Sequence, residues 1–101
     1  AGEAARPAAM ANLALLLGDA GRHRTALETW RRVRWGSRSG VGEGTNAYYV
    51  GRNLVALARE QDALAAFKQA EASQATTFGD DGPPVGPAAA DHLIDLGVSP
   101  D

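Results

Sequence analysis

Apolar and small residues recur along this chain at the i, i+3, i+4, i+7 spacing that gathers side chains onto one helix face. Met10, Leu13, Ala14 and Leu17 form the first set, and Ala26, Leu27, Trp30 and Val33 the second. Displaced by thirty-seven residues, the template returns as Ala47, Val50, Gly51 and Leu54, then Ala63, Leu64, Phe67 and Ala70. Every pair keeps its character. The spacing predicts helices over about 7–20, 22–35, 46–57 and 60–72. Pro7 suits a first helical turn, where its missing N–H has no intrahelical partner to lose. Gly21 turns the first pair of helices, while Ala58 fills that slot in the second, so a tighter or less sharp turn is expected there. Thr45 or Asn46 is the expected cap of the third helix.

Between and after the copies the periodicity stops. Residues 36–45 hold four glycines and two serines and read as a mobile connection. Residues 73–87 hold three glycines and three of the five prolines, a composition that cannot continue a helix. Pro87 opens a last short helix through Leu96, stopped by Gly97, with Ala89, Leu93 and Leu96 placed to cover the fourth helix. The organisation is therefore a single domain, 1–101. It divides into a first helical hairpin (7–35), a Gly-rich connection (36–45), a second hairpin (46–72), a Gly/Pro-rich loop (73–86) and a capping helix (87–97).

The order in each copy is large apolar, apolar then small, apolar, a turn, an alanine, an aromatic four later and a small apolar three after that. Met10 to Trp30 carries it most fully, and Ala47 to Ala70 repeats it with Gly51, Ala63 and Phe67 in the small and aromatic slots. This pattern resembles the tetratricopeptide repeat (TPR) over about two-thirds of the chain. Two departures stand out: the offset exceeds the family's period of about 34 residues, and neither copy ends in proline. The resemblance implies an all-α fold of stacked antiparallel helical hairpins, an α-solenoid fragment with a short C-terminal helix. In such packing Ala14 or Gly51 lets paired helices approach, and Trp30 or Phe67 fills the wedge between hairpins.

The resemblance also implies function. The first helix of each hairpin would line a concave groove that binds a peptide, a partner helix or a subunit of a larger assembly. Here that face carries Asn12, Leu15 and Asp19 from the first copy, and Tyr48, Tyr49, Arg52 and Val55 from the second. Tyr and Arg are frequent interface anchors; the competing reading packs the tyrosines against the first hairpin. Relatives that grip a terminal carboxylate use lysine and asparagine, and only Asn12 is near such a place. Two repeats are fewer than the three usually needed for independent stability, so one end of the stack is expected to dock on a partner or a second copy.

Charge adds an orientation. Residues 1–52 carry eight arginines against four carboxylates, and residues 53–101 carry two cations against eight carboxylates. Such a bipolar chain favours oriented encounters or end-to-end attraction between copies. Arg31, Arg34, Trp35 and Arg38 fall three or four apart and form a basic stripe if the second helix runs that far. That stripe is the ground for the alternative, a helical-repeat nucleic-acid or phosphate-binding protein. Its bland reading is a solvated flank with Glu28 pairing to Arg31 or Arg32. The net charge of -2 argues against nucleic acid.

Other chemistry has little footing. The chain lacks cysteine, and no apolar run approaches the roughly 18 residues of a membrane span. Asp91, His92 and Asp95 have no second cluster to complete a metal shell. Gly40, Gly42 and Gly44 imitate a phosphate loop without the preceding strand or following lysine. His23 and His92 lie apart, with no nucleophile beside either. The expectation is a non-enzymatic scaffold or interaction module without a cofactor. The start at Ala1 suits a processed organellar or exported subunit, or a fragment.

Overall fold

Helix caps and breakers divide the chain at nearly the places the periodicity marks. The structure, a computed structural model, describes residues 6–36, 40–77 and 82–98. Five α-helices carry the regular structure of these residues: α1 (Arg6–Asp19), α2 (His23–Arg32), α3 (Glu43–Ala56), α4 (Glu60–Glu71) and α5 (Val85–Asp95). An isolated antiparallel bridge joins Thr76 to Pro84. The protein is all-α, with α1 packed on α2, α2 on α3, α3 on α4 and α4 on α5.

Two clusters form the interior. Ala11, Ala14, Trp30, Val33 and Trp35 pack where α1, α2 and α3 meet. Leu27, Ala47, Tyr48, Leu54, Ala63, Phe67, Ala70, Val85, Ala89 and Leu93 form the other, between α3, α4 and α5. Trp30 and Phe67 are 1% and 0% exposed, the equivalent interior roles that the template assigns them. Gly51 is where the second hairpin needs a missing side chain. A Cβ there would stand 2.8 Å from the Phe67 ring, closer than carbon atoms pack.

Three helices end in one turn. Arg22 N–H donates to Leu17 O at 2.8 Å after α1, Arg59 to Leu54 at 2.8 Å after α3, and Val98 to Leu93 at 3.0 Å after α5. The residue before each donor is left-handed: Gly21 at φ 83°, Ala58 at φ 60°, Gly97 at φ 96°. This is the Schellman arrangement. The turn at Ala58 is thus neither tighter nor less sharp than that at Gly21, and Ala58 bears the left-handed strain that glycine avoids. The shared turn also sets α5 in register with α1 and α3, as the first helix of a further hairpin would be.

Several boundaries differ from expectation. The second helix stops at Arg32, not Trp35, because Val33 is extended (φ -72°, ψ 127°) and turns the chain inward. Trp35 is buried and its Nε1–H donates to Asn46 Oδ1 at 2.7 Å. The third helix starts at Glu43 with Gly42 as its N-cap, so neither Thr45 nor Asn46 has the expected capping place. Asn46 instead donates to Trp30 O and Val33 O at 3.2 and 2.9 Å, closing the open end of α2. The last helix begins at Val85, and Pro87 falls inside its first turn, where no N–H is required.

The Gly-rich connection, expected to be mobile, and the Gly/Pro-rich loop are tied together where they are described. Thr45 Oγ1 accepts the Gly42 N–H and donates to Thr76 O at 2.7 Å. Thr76 N–H donates to Gly40 O at 2.6 Å, and Val85 N–H to Ala75 O at 2.9 Å. Both connections lie at the same end of the rods, so each satisfies backbone groups the other leaves open.

Leu13 departs from the template. It is 52% exposed, and Ala11 takes the interior place instead. Its equivalent Val50 is covered by α2, and no described element precedes α1 to cover Leu13.

Candidate functional site

The first helices present one continuous face. Along α1, Asn12, Leu15 and Asp19 are spaced three and four apart; along α3, Tyr48, Arg52 and Val55 are spaced four and three apart, with Tyr49 beside them. The structure gathers Leu15, Asp19, Tyr49 and Arg52 around a cavity of about 90 Å³, with His23, Trp30 and Asn53 beneath. At about 30 Å³ per water, that space takes one small side chain or a few waters. Asn12 and Val55 are exposed at the margins.

Aromatic rings floor this face. Tyr49 stacks on Trp30 with centroids 4.7 Å apart and planes 3° from parallel. Tyr48 is buried, edge-on to Tyr49 at 5.1 Å and to Phe67 at 6.1 Å, so it supports the face rather than forming its surface. The Arg52 guanidinium carbon lies 5.8 and 5.5 Å from the Tyr48 and Tyr49 ring centroids. That is cation–π range, which holds the cation over the rings without neutralising it. Burial pushes the Tyr49 hydroxyl above its ordinary pKa, with Arg52 opposing.

A buried polar bridge fixes the base of the cavity. Asn53 Nδ2 donates to Tyr49 O at 2.9 Å, which leaves Oδ1 to accept from His23 Nδ1 at 2.9 Å. His23 therefore carries its proton on Nδ1, and its ring ties the start of α2 to α3.

Sequence reasoning missed the part of the face that α5 supplies. Counting from the shared turn, Asp91 matches Arg52 and Ile94 matches Val55. Gly97 carries the signal: it is not only a helix stop but the counterpart of Gly21 in the shared turn. Val55 and Ile94 are 39% and 49% exposed. With Leu13 and Leu16 they make up the large exposed hydrophobics among the described residues, all on first helices and none on α2 or α4. His92, on the inner side of α5, stacks on Phe67 at 4.7 Å, and burial, then Arg52, hold it below its ordinary pKa against Asp95 and Asp91.

The basic stripe does not form on a helix. Arg31 is the last residue but one of α2, Arg34 lies beyond its end, Trp35 is buried, and Arg38 lies outside the described residues. Arg34 Nη1 donates to Arg31 O at 2.8 Å, so it caps the helix end. Arg31 and Arg34 instead border an open trough of about 830 Å³ between α2 and α4, floored by Ala47, Val50 and Leu54, with Arg59 and Asp62 on the opposite wall. Sequence periodicity could not reveal it, because three elements build it. Among the described residues no three His, Asp or Glu side chains gather as a metal site, and no helix is long and apolar enough to cross a membrane.

No protein-family model, curated protein or solved structure matches the chain.

Proposed function

We propose that this protein is a TPR-like, non-catalytic interaction module that holds a segment of another protein across the face formed by α1, α3 and α5. The observation that carries this reading is the pair of exposed apolar side chains Val55 and Ile94 in equivalent register on α3 and α5, with Val55 three residues from Arg52 and Arg52 over the Tyr49 ring. A partner segment bearing apolar groups would bury Val55 and Ile94, and Arg52 would supply a directed, charged contact. The mixed charges of Asp19, Arg52, Asp91 and Asp95 along the same face would set its direction.

The trough between α2 and α4 favours a second reading. Its volume is within the range of ligand sites, and Arg31, Arg34 and Arg59 would suit an acidic polypeptide there. Photo-crosslinking residues placed at Val55, Ile94, Ala65 or Gln69, in cells that make the protein, separate the two. The first reading expects a defined protein captured from positions 55 and 94, and lost with Arg52→Glu. Capture only from 65 and 69 would replace it with the trough; capture from neither would remove both.

A further inference from the structure

The shared turns put α1, α3 and α5 in one register, and three residues before each left-handed position stand Gly18, Val55 and Ile94. Two of these places carry exposed branched aliphatic side chains, and the first carries none. The cavity of about 90 Å³ between α1 and α3 opens there, with Gly18 in its wall. The face therefore has an aliphatic group at two of three equivalent places and a hole at the other.

The fold does not require glycine at 18. A Cβ at Gly44, Gly51 or Gly86 would run into Ser73, the Phe67 ring or the Glu71 carbonyl, so packing explains those three. Gly18 lies within α1, and a Cβ there would meet only Asn53 Oδ1, at 3.5 Å, an ordinary contact. Glycine weakens a helix interior. Helix stability alone would thus favour a side chain at this place.

The hole suits an apolar occupant. Ala14 and Leu15 wall it with the rings of Trp30 and Tyr49. The polar groups at its base are already paired, His23 Nδ1 donating to Asn53 Oδ1 and Asn53 Nδ2 to Tyr49 O, both at 2.9 Å. Among the described residues no buried side-chain N or O atom lacks a partner, so water has no unmet group to serve there. Asp19 and Arg52 border the mouth with opposite charges, so an entering ion is drawn to one and repelled by the other. At about 30 Å³ for each group the size of a water, the space takes about three, which is the carbon count of a valine side chain.

We infer that this cavity is an anchor pocket for one valine-sized aliphatic side chain of the partner segment, and that Gly18 is the specificity-determining residue that keeps it open. The inference rests on the reading of the α1, α3 and α5 face as the partner site. The incoming side chain takes the place on α1 that Val55 takes on α3 and Ile94 on α5, so the bound segment completes the row. Size excludes aromatic side chains, and the paired base offers nothing to a charged one.

A phage-displayed library of random short peptides, selected on the intact chain, supplies the probe. Peptides whose binding Arg52→Glu removes are expected to share one Val, Ile or Leu. Replacing that residue by alanine is expected to weaken binding about 10–100-fold, the worth of burying an aliphatic side chain. Gly18→Val fills the pocket from within and is expected to weaken the same peptides by a similar factor. On that variant the alanine replacement in the peptide should have no further effect, because both changes remove one contact. Gly18→Ala narrows the pocket without rearrangement and is expected to weaken binding by less while leaving the thermal midpoint no lower, a check that does not depend on how α1 tolerates valine. Peptides that need Arg52 yet bind Gly18→Val as well as the parent chain, or that share a charged or aromatic residue instead, would overturn the pocket and leave the face standing. If no selected peptide is sensitive to Arg52→Glu, the face falls and the pocket with it.

Discussion

The indole of Trp30 and the ring of Tyr49 lie face to face, 4.7 Å between centroids and 3° from parallel. One belongs to the last helix of the first hairpin and the other to the first helix of the second, so this stack is the joint between hairpins. Phe67 and His92 make the next joint at 4.7 Å with parallel planes. An aromatic ring on the second helix of each hairpin thus meets a flat ring on the helix that follows.

Trp30→Ala is expected to lower stability by about 3–5 kcal/mol, the cost of emptying a large aromatic site. A small domain has a margin of about 5–15 kcal/mol, so the substitution removes a large share of it. Tyr49→Phe keeps the stack and is expected to be close to neutral. Chemical denaturation followed by circular dichroism checks both.

Gly51→Ala is expected to destabilise by about 1–3 kcal/mol, as overpacking does, because its new methyl would meet the Phe67 ring at 2.8 Å. Pairing it with Phe67→Leu, which withdraws the ring, should recover part of the loss. A double-mutant cycle showing simple additivity would mean that the two residues do not touch.

Ala58→Gly is expected to stabilise. Relief of left-handed strain is worth about 1–2 kcal/mol, against about 0.4–1 kcal/mol of added freedom in the unfolded chain. The net gain is below about 1.5 kcal/mol, visible as a higher denaturation midpoint. Gly21→Ala should shift it the other way.

Stability is expected to rise with pH across the window just below 6.5. The unfolded His92 takes its proton near 6.5, while in the fold burial and Arg52 delay protonation to lower pH. Between those values the unfolded state binds more protons, so the contribution is complete above about 6.5 and lost as pH falls toward the folded value. His92 faces Phe67 on α4, Tyr48 and Arg52 on α3, and Asp91 and Asp95 on its own helix. His92→Phe keeps a ring on Phe67 and should flatten the profile; unchanged slopes would exonerate His92.

Period and turn signals made the rods legible, because an amphipathic helix writes its buried face at fixed spacing and Trp30 and Phe67 repeat it. The ends of the rods were less legible. Nothing local says that Val33 is extended; Asn46, thirteen residues away, takes the carbonyls that a longer helix would have used. The face that α1 and α3 share was readable from their spacing, but Tyr48 proved a supporting ring because α5 closes over it. Leu13 fits the helical spacing as well as a core residue does, and only the packing of α1 on α2 puts Ala11 inside in its place.

Nesting of the two hairpins through Trp30 is the claim on which the proposed binding face depends. Cross-relaxation between ring protons of Trp30 and Tyr49, measured by NMR on the intact chain, tests it most directly. The account predicts strong cross-peaks between the two rings, alongside Phe67 contacts to the Gly51 α-protons. Phe67–Gly51 contacts without any between Trp30 and Tyr49 would mean intact hairpins that do not stack, and would contradict it.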